Sequence, residues 1–172
     1  MGMDVYGHAP ESEVGEYFRA NIWHWRPLAN YVISHFPQMV GDSKLWLTND
    51  GYGLNGEQSK ALGKAIIASI EAGAAQRAVS TFREMLSELP MQECRWCNST
   101  GIRNDEVGKN AGFPNVELTQ DLQVITGRTH GYCNACQGYG RVEDTASWYR
   151  LDIEDIEEFA EFLMDCGGFS IS

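Results

Sequence analysis

CRWCNSTG (residues 94–101) returns in phase as CNACQGYG (residues 133–140), so that Cys94 matches Cys133, Cys97 matches Cys136 and Gly101 matches Gly140. Two cysteines separated by two residues reach one ion from a single tight turn, and zinc takes four ligands in a tetrahedron with thiolate as its usual structural donor. After the second cysteine the chain must curl back, so that backbone N–H groups face the sulfurs and offset their charge. Glycine suits that curl because it accepts backbone angles that other residues resist. Two such knuckles supply Cys94, Cys97, Cys133 and Cys136. This closed set of four predicts one structural Zn2+, with no open coordination position for catalysis.

The same spacing admits two other chemistries. Either CxxC can act as a redox dithiol if one thiolate has a lowered pKa, and thiolates also hold iron or iron–sulfur centres. A redox CxxC opens a helix after a strand, whereas glycines follow both pairs here. Residues 98–132, between the knuckles, make a longer excursion than common zinc ribbons carry and are a candidate binding surface. Cys166, the fifth cysteine, ends an amphipathic segment and reads as a buried thiol. His130, three residues before Cys133, is placed to reach the surroundings of the ion rather than to ligate it.

CNACQGYG resembles the CxxCxGxG repeat of the DnaJ-type cysteine-rich domain, and CRWCNSTG is similar to it except that Ser99 replaces the first glycine. That family carries four repeats and two zinc ions, so two repeats imply a single zinc, over roughly residues 93–142. The chain has no His-Pro-Asp tripeptide, and the resemblance therefore brings no cochaperone role with it. The DVYG opening, the WxWRPL segment, the NDGxGL loop and the CGGF ending resemble a family of small uncharacterised bacterial and phage or prophage proteins. That likeness implies no activity.

On either side of the knuckles the sequence reads as helix. Val14, Phe18, Ile22, Trp25, Leu28, Val32 and Phe36 recur every three or four residues, as on one helical face. Pro27 removes a backbone donor, which predicts a kink or break there. KLWLT (44–48) is a candidate strand. Asn55 with Gln58 three residues on predicts a capping box opening a helix with Leu62, Ala65, Ile66, Ser69 and Ile70 inward and Gly73 at its end. Val79, Phe82, Leu86 and Leu89 mark a further helix closed by Pro90. VELTQDLQVIT (116–126) holds plausible strand pieces. Asp152 caps a last helix with Ile153, Ile156, Ala160 and Leu163 inward and Gly167 as its stop. The fold class expected is α+β, mainly α: a helical body (1–92), a small β-containing four-cysteine zinc insertion (93–144), and a C-terminal strand and helix (145–172) packing back on the body.

A hydrophobic content of 43% over 172 residues is enough for a real core. The net charge of −11 opposes phosphate backbones and anionic membrane surfaces. The opening residues lack the apolar run of a signal peptide, and the longest apolar run, residues 65–68, is too short to span a bilayer. A cytoplasmic protein is expected, and a reducing cytosol favours metal over disulfides at CxxC pairs.

Other motifs carry weaker signals. Gly51–Gly56 satisfies GxGxxG but lacks the βαβ context of a dinucleotide site, so it reads as a turn delivering the chain to its cap. His24, between Trp23 and Trp25, reads as a packed histidine rather than a general base. Glu154, Asp155, Glu157, Glu158, Glu161 and Asp165 make an acidic helix face, either solvated or a docking surface for a basic partner. Arg95, Arg103, Lys109, Arg128 and Arg141, with Trp96, Tyr132 and Tyr139, would suit single-stranded nucleic acid, but the seven acids of the same segment oppose it. The expected partner is a protein. The function expected is a zinc-stabilised, non-enzymatic interaction protein, with a thiol–disulfide or chaperone-like role and nucleic-acid binding as alternatives.

Overall fold

The computed structural model describes residues 2–172. They form two compact units, residues 2–87 together with 148–172, and residues 88–147. The fold is mixed α+β.

The first unit is built on an antiparallel sheet of order β2–β1–β5, with β1 Gly2–Gly7 central between β2 Tyr17–Asn21 and β5 Phe169–Ile171. Met3 and Val5 of β1 and Phe18 and Ala20 of β2 face the core, while Tyr17 and Arg19 face water. This corrects the expected helix over residues 14–21. Phe18 and Ile22 are four apart and mimic a helical face, but Phe18 and Ala20 alternate as a half-buried strand does, and β1 supplies the pairing partner.

Helix α1 (Ile22–His35) then starts at Asn21, whose side chain accepts from the N–H groups of Trp23 and His24. Pro27 lies inside α1 and does not break it. It has no N–H to give the Trp23 carbonyl one turn back. That carbonyl instead accepts the N–H of Arg150 at 2.9 Å. The proline's missing donor thus becomes a tie between α1 and the segment entering the last helix.

KLWLT also departs from expectation. Ser43–Leu47 is a 3₁₀ turn, started by the Asp42 side chain on the Lys44 N–H. The turn swings Trp46 fully into the core, where its indole N–H donates to the Val40 carbonyl at 2.8 Å. Residues 51–54 run beside β5, with the Ile171 N–H on the Tyr52 carbonyl at 2.8 Å and the Phe169 N–H on the Leu54 carbonyl at 2.9 Å. Any side chain on Gly53 would run into the Phe169 carbonyl. This backbone-on-backbone approach accounts for the central glycine of the GxGxxG match.

The predicted capping box is present at α2 (Gly56–Glu71), with Asn55 and Gln58 each bonded to the other's backbone N–H. α3 follows at Ala74–Ser87. The last helix, α6 (Ile153–Asp165), packs on α2. Its buried face, Ile156, Phe159, Ala160, Phe162 and Leu163, meets Trp25, Trp46 and Phe169 in an aromatic core. There the Trp25 and Trp46 rings stack with centroids 6.3 Å apart, and Phe159 stands edge-on to both. Cys166 is fully buried in this core, and no helix among the described residues is long and apolar enough to cross a membrane.

In the second unit, Gln92–Glu93 (β3) pairs with Arg141–Val142 (β4) in a two-stranded sheet beside the cysteines. Two short helices, α4 (Glu106–Asn110) and α5 (Gln120–Thr126), lie in the excursion. α5 corrects the strand expected over 116–126. Thr119 caps it through the Leu122 N–H, and Gly127 ends it in a left-handed conformation. Strand-like pairing survives there as a single bridge of Glu117 against His130.

Candidate metal centre

The sheet β3–β4 closes the two knuckles onto each other, because the Cys94 N–H donates to the Gly140 carbonyl at 3.0 Å just beyond the Glu93–Arg141 pair. Within each knuckle the same bonds recur. The Cys94 carbonyl accepts from Ser99, as the Cys133 carbonyl accepts from Gly138. The Cys97 carbonyl accepts from Thr100, as the Cys136 carbonyl accepts from Tyr139. The Gly101 N–H points at the Cys97 sulfur at 3.3 Å, and the Gly140 N–H at the Cys136 sulfur at 3.2 Å. These are the N–H···S bonds expected of a knuckle that stabilises thiolates.

All four cysteines are buried, and their sulfurs lie within 4.8 Å of one another. The Cys94–Cys133 and Cys97–Cys136 sulfurs are 3.9 and 3.7 Å apart. Four sulfurs at zinc's bond length of about 2.3 Å stand about 3.8 Å apart in a tetrahedron. The spacing is far too long for a disulfide, whose bond is about 2.05 Å, and both close pairs join one knuckle to the other. The group can hold one metal ion.

The two knuckles interlock at their glycines. A side chain on Gly101 would strike the Gly138 carbonyl, and one on Gly140 would strike the Ser99 carbonyl. Both glycines have left-handed angles, φ +73° and +77°.

Burial and local N–H donors act in opposition on the metal-free thiols. Burial pushes the Cys136 thiol up to about 12, against the pull of the Gly140 N–H, and the neighbouring sulfurs add to the rise. Burial likewise raises Cys97, opposed by the Gly101 N–H. At Cys94 burial also disfavours the thiolate, but the N–H groups of Trp96 and Cys97 with the Cys97 side chain outweigh it, and its pKa is lowered. At neutral pH Cys97 and Cys136 are therefore neutral thiols until a cation takes the place of their protons.

Two arginines brace the site in a way the sequence did not signal. Arg128 donates to the carbonyls of Gly131 and Gly138, at 3.1 and 2.7 Å, holding the second knuckle. Arg103 pairs with Asp105 and donates to the Asn134 side chain at 2.9 Å. Its charge is favoured first by Asp105 and then by the nearby Cys133 and Cys94. Both belong to the basic set that, by sequence, would suit single-stranded nucleic acid. Trp96 is half exposed, with the guanidinium carbons of Arg95 and Arg103 at 5.1 and 5.0 Å from its ring centroid. His130 is exposed and its ring bonds Thr129, so it does not join the cysteines.

In the first unit, His24 Nδ1 lies 2.9 Å from Asp155, and Asp152 brings a third potential ligand within 4.8 Å. Asp152 already pairs with Arg83, so the group is a network of one ion pair and one histidine–carboxylate hydrogen bond joining α1, α3 and α6. It leaves His24 a packed histidine. The acids Glu154, Glu157, Glu158 and Glu161 lie on the outer side of α6.

No protein-family model, curated protein or solved structure matches this chain. Its likeness to DnaJ-type repeats is confined to the cysteine–glycine motif.

Proposed function

We propose that this is a zinc-stabilised, non-enzymatic interaction protein, in which Cys94, Cys97, Cys133 and Cys136 hold one structural Zn2+. The observation that carries the reading is the buried set of four sulfurs within 4.8 Å of one another, two pairs of them at 3.9 and 3.7 Å, with each knuckle donating an N–H to a sulfur. Such a site leaves no coordination position for a substrate. In the second unit, apolar side chains of α4 and α5 face solvent. Val124 is 80% exposed, Ile125 65% and Val107 60%. These favour a protein partner over nucleic acid, as does the use of Arg103 and Arg128 within the fold itself. The redox alternative needs an accessible thiolate, whereas Cys94, the thiol whose pKa is lowered, is buried, and the thiols of Cys97 and Cys136 are buried and raised.

The test is native mass spectrometry of protein purified without added zinc, combined with thiol counting. One zinc per chain with the four site thiols blocked until chelation supports the reading. A metal-free chain whose mass is lowered by disulfide formation, and which turns over a disulfide substrate such as insulin with dithiothreitol, would replace it with thiol–disulfide chemistry.

A further inference from the structure

A cavity of about 530 Å³ lies in the first unit between α1 and α3, within the size range that holds small ligands. Successive turns of α1 form one wall, at Pro27, Tyr31 and His35. Successive turns of α3 form the other, from Arg77 to Met85, and Leu151 closes one end. From Pro27 to His35 the groove runs about 12 Å at the helical rise per residue.

Its two ends differ in chemistry. Leu151 sits between Arg150, bonded to Trp23 at the start of α1, and Asp152, paired with Arg83 from the second half of α3. The start of α1 therefore lies near the end of α3, and the opposite end of the groove falls between His35 and the first turn of α3. The Leu151 end is apolar, with Pro27, Phe82 and a Met85 that is 54% exposed. The His35 end holds Arg77. Among the described residues Arg77 makes no ion pair, and its guanidinium reaches only the Ala72 carbonyl at 3.4 Å. Arg77 is exposed in the first turn of α3 with its guanidinium at the C-terminal end of α2, where a cation is favoured, and no acidic residue in the first turn of α3 pairs with it. His35 donates Nδ1–H to the Tyr31 carbonyl at 2.9 Å, and its second ring nitrogen makes no hydrogen bond among the described residues.

A cation without an ion-pair partner among the described residues, at one end of an apolar cavity in a chain of net charge −11, is complementary to one kind of small molecule. The geometry points to a binding site for an amphipathic carboxylate, aliphatic or aromatic. Its head would pair with Arg77 beside His35, and its tail would lie along Phe82, Met85 and Leu151. An apolar helix from a partner protein would fill the groove without needing Arg77, which separates the two occupants experimentally.

The test is titration of the isotopically labelled full chain with sodium octanoate and, separately, with octanamide, followed by NMR and calorimetry. Octanoate is expected to bind saturably, shifting α1 and α3 amides and the Met85 methyl. Loss of a charge-assisted hydrogen-bonded pair is worth roughly tenfold or more. Octanamide should therefore bind at least that much more weakly, and Arg77→Met should lower octanoate affinity similarly while leaving octanamide binding and the melting temperature unchanged. Ala78→Trp, which fills the cavity, should abolish both. Absence of saturation, shifts elsewhere, or equal binding of octanoate and octanamide would overturn the proposal. So would an Arg77→Met protein that binds octanoate as before.

Discussion

Ser99 occupies the position that Gly138 holds in the second knuckle, and it does so at φ +63°. Left-handed backbone costs an ordinary residue about 1–2 kcal/mol, partly offset by glycine's greater freedom when unfolded. Ser99→Gly should therefore stabilise the metal-loaded protein by about 0.5–1 kcal/mol, read as a raised denaturation midpoint. The carbonyl of Ser99 already fills the space above Gly140, so Gly140→Ala should fail in the opposite direction and by more. At the sulfurs the sign of the pH dependence follows from the raised thiols. Cys136, pushed up to about 12, and Cys97, also raised, carry protons at pH 7, and a metal must displace both. Zinc affinity should thus fall as pH falls, by at least about 100-fold per unit for these two protons, in a chelator competition run between about pH 5.5 and 7.5. An affinity flat over that range would mean that the ligands are already thiolates without metal. The four-cysteine cluster was legible in the sequence because CxxC spacing and the following glycines are local geometry. The bracing of Gly138 by Arg128 was not, because an arginine's partner is fixed by the folded backbone and leaves no mark in its own neighbourhood.

Helix α2 shows what a local signal can carry. Asn55 and Gln58 predicted a reciprocal cap, and both bonds are present. Asn55→Ala should cost about 1 kcal/mol, up to about 2, in thermal or denaturant unfolding of the first unit. Gln58→Ala should cost less, because it leaves the Asn55 side chain on its N–H. A loss near zero for Asn55→Ala would mean that the bridge from Asn55 to Gly168, and not the cap, fixes this turn. The elements misread from sequence share a different trait: most are decided by something distant. β2 became a strand because β1 lies alongside it. α1 passes through Pro27 because Arg150 takes up the Trp23 carbonyl. Ser43–Leu47 coils because Trp46 must reach Val40 and the aromatic core. Residues 120–126 favoured a strand by composition, with Val124 and Ile125 β-branched. There the Thr119 cap and the Gly127 stop prevailed over that preference.

At the scale of the whole molecule, the two units hold together by different means. The first has an aromatic core with Trp25, Trp46, Phe159, Phe162 and Phe169 almost wholly buried, and a sheet that joins the two ends of the described chain. The second buries chiefly its four cysteines, with Val142 packed against them and Leu118 and Leu122 ahead of the second knuckle in sequence. A segment of this size has a marginal core unless a metal or disulfide staples it. Where a structural zinc holds such a segment, its binding energy is the folding energy. Chelation should accordingly unfold residues 88–147 while the first unit persists. Hydrogen exchange with and without a chelator separates the two. The amides of Gly101, Gly140 and α5 should lose their protection, while those of Leu62, Ile66 and Phe159 keep theirs. Cys133→Ser should reproduce the pattern without chelator. Retained protection at Gly101 and Gly140 after metal removal would mean that the interlocked carbonyls and the β3–β4 pair suffice to hold the knuckles. The cysteines would then be poised for a ligand that the fold does not need.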